Sequence, residues 1–180
     1  MVRNYIMSKN KKNEFETAFL NEYQYYLSQA DDAVSRIQNM DKEPSGQYFG
    51  ICHGDYSQHN LLFTAAGPVI INYERFCRDA YISDFAHFFR KIMEKHNWNT
   101  GLGMDLISAY DKVRKLARWE LQQLAVRMVY PEKFWKVANH YFNSRKSWAN
   151  NRDSEKLSKI CAQEKERTEF LKILSYFVQG

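Results

Sequence analysis

Residues that interrupt regular structure are scarce in this chain. Among 180 residues there are only seven Gly and three Pro. That scarcity argues against an all-β sandwich and against a low-complexity chain, both of which depend on frequent turns. Cysteine is sparse too. Cys52, Cys77 and Cys161 are odd in number and none forms a C-x-x-C pair. A disulfide framework and a structural zinc site are both disfavoured, and reduced thiols are expected. No run reaches the roughly 18 apolar residues of a membrane-spanning helix. The opening Met1-Val2-Arg3-Asn4-Tyr5 lacks the apolar stretch of a secretion signal. The expectation is a protein that stays inside the cell making it, with no transmembrane segment.

What the chain has is aromatic and amphipathic. Its 12 Phe, 12 Tyr and 4 Trp supply apolar area for a sizeable core. Residues 12–38 place Phe15, Phe19, Tyr23, Tyr26, Val34 and Ile37 at three- and four-residue steps, which predicts a helix. Residues 41–50, with Pro44, Gly46 and Gly50, read as a loop. Leu61–Thr64 and Val69–Ile71, separated by Ala65-Ala66-Gly67-Pro68, read as a β-hairpin. Ser83 or Asp84 starts a helix running to about Lys95, and Asn99-Thr100-Gly101 breaks it. Further helices are predicted over 103–116, 119–129, 132–144 and 153–177, with Pro131 at a helix start. Trp98, Trp119, Trp135 and Trp148 read as packing residues rather than base-stacking platforms. The fold class is therefore mainly α with a small β-hairpin.

Charge is unevenly spread. Residues 1–110 carry 11 Lys+Arg and 13 Asp+Glu, whereas residues 111–180 carry 15 and 8. The basic residues are mixed with acidic ones and no nucleic-acid motif accompanies them. They read as solvated helix faces, and nucleic acid is disfavoured as a partner.

One segment carries chemistry. Cys52-His53-Gly54-Asp55-Tyr56-Ser57-Gln58-His59-Asn60-Leu61-Leu62-Phe63 sets an Asp, four residues, an Asn and then an apolar strand. In phosphoryl transfer such an Asp accepts or orients the proton of the attacking hydroxyl, and the Asn amide oxygen holds magnesium on the nucleotide phosphates. A second metal-holding Asp is expected where the following hairpin ends. The chain reads Ile70-Ile71-Asn72-Tyr73-Glu74 there, so Asn72 takes that place. An amide offers a neutral oxygen and lacks the charge that magnesium favours. Glu74, two residues on along a strand, would share the face of Asn72 and substitute in part. His53 reads as an acid or base or as a residue bonding loop backbone, and the second reading is favoured. His59 reads as a loop residue. Cys52, His53 and His59 could suggest a metal set, but the Asp55/Asn60 spacing accounts for the segment better. Asp84 reads as a helix cap or as a brace on the loop's amides, and the brace is favoured.

The motif His53-Gly54-Asp55…Asn60 leads through the hairpin into Ile71-Asn72-Tyr73-Glu74. Asp79…Ser83-Asp84-Phe85-Ala86…Phe89-Arg90-Lys91 follows. Further on come Tyr130-Pro131-Glu132-Lys133-Phe134-Trp135, Ala138-Asn139-His140-Tyr141 and Ser144-Arg145-Lys146-Ser147-Trp148. In this order they resemble the bacterial spore-coat kinase-like proteins of the CotS type, within the aminoglycoside phosphotransferase and choline kinase superfamily. The resemblance covers most of residues 12–175.

It implies the C-terminal lobe of a protein-kinase-like fold over 1–180. Its parts would be a leading helix at 12–38, a catalytic-loop and metal-loop hairpin at 51–74, and a helical subdomain at 81–177. It implies Asp55 as catalytic base and Asn60 and the position of Asn72 as metal ligands, beside His53 and Asp84 as the supports of the loop read above. Magnesium and ATP are implied as cofactors, and other spore-coat proteins as partners. The implied location is the mother-cell cytoplasm and then the spore coat. No nucleotide-binding residue emerges. The residues before the motif hold no phosphate-covering Gly-rich loop and no strand Lys, and Gly101-Leu102-Gly103 comes too late. The expected arrangement is thus a C-lobe with its N-lobe absent. The favoured function is a non-catalytic spore-coat component, for which neither magnesium nor ATP need bind. The alternative is the C-lobe of an active ATP-dependent kinase acting on a small-molecule hydroxyl, its N-lobe lying outside this chain.

Overall fold

Eight α-helices and four short strands are formed by the residues that the computed structural model describes, 2–40, 46–143 and 151–179. The chain divides into two compact units, Met1–Arg36 with Val129–Lys165, and Ile37–Met128 with Glu166–Gly180.

The first unit holds α1 (Val2–Met7), most of α2 (Glu14–Gln38), α6 (Glu132–Asn143) and α7 (Asn151–Ala162). Helix α2 starts where Asn13 and Glu16 cap each other. Asn13 Oδ1 accepts from the Glu16 amide at 2.9 Å, and the Glu16 carboxylate accepts from the Asn13 amide at 3.1 Å. A reciprocal cap of this kind stabilises a helix start by about 1 kcal/mol. The three- and four-residue steps of α2 bury Phe15, Phe19 and Tyr26 with Phe134, Val137 and Tyr141 of α6 and Leu157 of α7. The rings stack, Phe15 on Tyr141 at 3.9 Å and Tyr26 on Phe134 at 4.1 Å between centroids. Asp153 is fully buried and is held by His140 Nδ1 at 2.8 Å and Lys156 Nζ at 2.9 Å.

The second unit holds all four strands. β1 (Phe49–Cys52) pairs antiparallel with β4 (Cys77–Ala80), Phe49 opposite Ala80 and Cys52 opposite Cys77. β2 (Leu61–Thr64) and β3 (Gly67–Ile70) form the predicted hairpin, with Leu61 opposite Ile70. Helices α3 (Tyr81–Lys95), α4 (Thr100–Val113), α5 (Arg118–Val129) and nearly all of α8 (Glu164–Gln179) build its core. The stripe Ile82, Phe85, Ala86, Phe89 and Met93 on α3 packs with Ile107, Leu124, Met128, Phe170 and Leu174. Gly103 permits close approach in α4, since a Cβ there would meet Phe170 at 2.7 Å and Met93 at 2.9 Å.

Several expected boundaries move. The segment 153–177 was expected as one helix. It is two, α7 and α8, separated at Gln163, whose amide bonds the Ile160 carbonyl at 3.2 Å. No Gly or Pro marks that break. Helix α1 and strands β1 and β4 were not expected. β4 reads Cys-Arg-Asp-Ala, which has no apolar alternation, and it forms only because β1 lies beside it. Helix α3 begins at Tyr81, so Asp84 stands in its first turn and does not cap it. Asn99-Thr100-Gly101 starts α4 rather than only ending α3, because Asn99 Oδ1 accepts from the Leu102 amide at 2.8 Å. Trp98 and Trp119 are buried and Trp135 is half-buried. Trp148, the 144–148 motif and part of the 41–50 loop lie outside the described residues. No helix among the described residues is long and apolar enough to cross a membrane.

Candidate functional site

Asp84 organises the loop that carries Asp55. It projects from the first turn of α3 and accepts two backbone hydrogen bonds, from His53 at 2.6 Å and from Gly54 at 3.0 Å. Gly54 needs its lack of a side chain. Its φ is +76°, and a Cβ would sit 2.1 Å from the Arg75 carbonyl oxygen. Buried His53 ties the loop to the hairpin. Its Nδ1 accepts from the Asp55 amide at 3.2 Å, so Nε2 carries the proton and donates to the Ile71 carbonyl at 2.8 Å. That is the neutral imidazole, with both nitrogens committed to backbone.

Asn60 closes the loop. It ends a 3-10 turn over Gln58–Asn60, and its own amide bonds the Ser57 carbonyl at 2.9 Å. Its side-chain nitrogen donates to the Asp55 carbonyl at 2.8 Å. That bond fixes which end of the amide is which: nitrogen toward the loop, oxygen outward. The outward oxygen accepts from Asn72 Nδ2 at 2.9 Å. The two side chains at the expected metal positions are therefore bonded to each other. The Asn60 carbonyl also accepts from Ile71 at 3.0 Å, which aligns the strand end leading to Asn72.

Asn72 has φ 64° and ψ 61°, a left-handed conformation that Asn tolerates better than most residues. It ends the extended run, and Tyr73–Arg75 form a 3-10 turn. The expectation that Glu74 shares a strand face with Asn72 is thereby corrected. Alternation requires extended backbone, and the left-handed residue removes it. Of the suggested Cys52/His53/His59 set, the Cys52 thiol donates to the Asp79 and Ala80 carbonyls, His53 is committed as above, and His59 is exposed. Burial, with Asp84 and Asp79 nearby, pushes the Cys52 thiol up to about 11, so it stays protonated at neutral pH.

The Asp55 carboxylate has a different setting. Backbone atoms of Asp55 serve the loop, but its carboxylate faces only His87 in the described contacts, with Oδ1 3.3 Å from His87 Nε2. The pair is out of line for a hydrogen bond and acts by charge when the imidazole is protonated. His87 was missed in the sequence. Its signal was its place three residues after Asp84, one turn along the same helix face.

The whole loop-and-hairpin arrangement sits in a chain whose residues 1–174 match the family model described as "Spore coat putative kinase YutH". The chain belongs to that family. Spore coat protein S of Bacillus subtilis (strain 168) is 21% identical over 163 residues, covering 87% of this chain. An aminoglycoside phosphotransferase from Alicyclobacillus acidocaldarius shares the fold, with a TM-score of 0.83, 23% identity and 98% of this chain covered. This spore-coat kinase-like chain spans about half of each, 46% and 54% of their lengths. Its helices and small antiparallel sheets are those of a kinase-like C-lobe.

Magnesium fits poorly at the two family positions as they stand. The Asn60 oxygen already accepts an N–H, Asn72 offers no carboxylate, and Glu74 lies on the turn beyond. A hard divalent cation would have to displace a formed hydrogen bond to gain two neutral amide oxygens.

Proposed function

We propose that this spore-coat kinase-like chain is a non-catalytic component of the coat, made in the mother cell and assembled with other coat proteins. The observation that carries the reading is the Asn72–Asn60 bond. In the phosphoryl-transfer arrangement two ligand side chains hold the metal between them. Here an amide N–H takes the cation's place, and the orientation of Asn60 is set by the Asp55 carbonyl. Calorimetric titration of the chain with ATP, with and without magnesium, tests the proposal. No magnesium-dependent affinity is expected. Magnesium-dependent ATP binding would overturn it.

One observation favours a second reading, the C-lobe of a kinase for small-molecule hydroxyls with Asp55 as base. The Asp55 carboxylate takes no part in bracing the loop, so its structural contribution is small. ATP consumption with a hydroxyl acceptor, abolished by Asp55→Ala, would establish that alternative.

A further inference from the structure

Beside the loop, within the second unit, lies a cavity of about 570 Å³. Its size is ordinary for a small-molecule site. Its walls are unusual in composition. Tyr56, Tyr73, Tyr81, Phe85, Phe88 and Tyr110 all line it. The rings are ordered in pairs, Phe85 with Tyr110 at 4.3 Å and Tyr56 with Phe88 at 5.5 Å between centroids.

The charges in the wall are already balanced. Asp84 receives the two backbone amides of His53 and Gly54. Arg114 presents both terminal nitrogens to the fully buried Glu120. Its guanidinium lies 5.1 Å from the Tyr81 ring and 5.8 Å from the Tyr110 ring. A cationic ligand finds no open carboxylate and meets a guanidinium already seated on two of the rings, and an anionic one finds no open cation. What remains is π surface and phenol hydroxyls. Those of Tyr56, Tyr73, Tyr81 and Tyr110 have no hydrogen-bond partner among the described residues. Burial raises the Tyr56 and Tyr110 phenols above their ordinary range, so both stay neutral donors. None of these hydroxyls is fully buried, so each is open to the cavity or to water and is available to a ligand.

We propose that this cavity binds an uncharged, planar aromatic molecule bearing a hydroxyl group. Its rings pack on the aromatic walls and its hydroxyl bonds a wall tyrosine. The site is independent of whether the chain transfers phosphate.

The probe is 2-naphthol, titrated into the full chain and followed by NMR. It should bind one site saturably, with a Kd on the order of 100 µM. Naphthalene-2-sulfonate should bind at least about tenfold more weakly because its charge finds no open cation, and a naphthyl trimethylammonium likewise because the Arg114 guanidinium already lies on the Tyr81 and Tyr110 rings and repels a second cation. Ala109→Trp, which fills the cavity from α4, should weaken 2-naphthol about tenfold. Tyr110→Phe preserves the packing. It should reduce the preference for 2-naphthol over naphthalene, measured against Tyr81→Phe and Tyr73→Phe. Non-saturable binding, or binding unchanged in Ala109→Trp and in all three Tyr→Phe variants, overturns the proposal. So does stronger binding of either charged probe. Tighter binding of a Tyr-containing peptide than of 2-naphthol assigns the cavity to a polypeptide and overturns it as well.

Discussion

Two stretches of the site, joined by one hairpin, have different structural duties. From His53 to Asn60 the His53 and Asn60 side chains and the backbone groups around them hold the loop. Asp84 takes two amides, His53 joins Asp55 to Ile71, and Asn60 joins Asp55 to the next strand. From Asn72 to Phe76 the chain is exposed, and the Asn72 side chain has its one described bond, to Asn60. On the non-catalytic reading proposed above, the contrast explains why the loop keeps its form without phosphoryl transfer. His53, Asn60 and Asp84 stay useful as braces when no phosphate is bound. Asn72, at the expected metal position, has no comparable structural duty among the described contacts. Asp55 is the exception within the braced stretch, because its carboxylate does nothing for the brace.

The largest break in this comparison should come from Asp84→Ala. Two backbone donors lose a charged acceptor at once, so stability should fall by about 3 kcal/mol. Urea unfolding measures it, and a loss no larger than that of Asp55→Ala would show that the loop is not braced. Next is Asn72→Asp. Restoring a carboxylate opposite the Asn60 oxygen should raise affinity for manganese, read by paramagnetic relaxation, by about tenfold or more. An unchanged affinity would locate the obstacle elsewhere than in the Asn72–Asn60 bond.

Asp153, in the first unit, shows what a purely structural carboxylate does. Burial raises its carboxyl, but the hydrogen bonds and charges of Lys156 and His140 outweigh this and hold it below the ordinary value of 3.8. A carboxyl lowered on folding stabilises the folded state above its unfolded value, and the contribution disappears as pH falls through the lowered folded value. Acid titration should therefore show a stability limb below pH about 4 that Asp153→Asn flattens, with a loss of about 1 kcal/mol at neutral pH. The smallest effect is expected for Asp55→Ala, less than about 0.5 kcal/mol by the same unfolding assay. A loss comparable to that of Asp84→Ala would give Asp55 a structural reason to be present and remove the best support for residual chemistry.

Much of this was legible in residue order. The aromatic steps of α2 and the Asp55–Asn60 spacing depend on local geometry, and the hairpin depends on a short turn. What escaped involves partners distant in sequence or backbone states without a composition cue. β4 has no strand pattern of its own and is made by β1. His87 gains meaning only when α3 lies against the loop. Asn72 was read as a weak metal ligand in an extended strand, but its left-handed backbone and its bond to Asn60 could not be read from the letters.

By itself, then, residue order determined a mainly helical chain, a loop that resembles those of phosphotransferases, and an amide where that resemblance expects a carboxylate. Periodicity and covalent identity are enough for the helices and the amide, and the motif's resemblance supplies the rest. Only the tertiary structure decided what the amide does. Which atom of Asn60 points outward depends on the Asp55 carbonyl, and whether Asn72 meets it depends on the turn that follows β3. Hydrogen-bond direction is a property of assembled geometry, and at this site it separates a pair of metal ligands from a closed pair of amides.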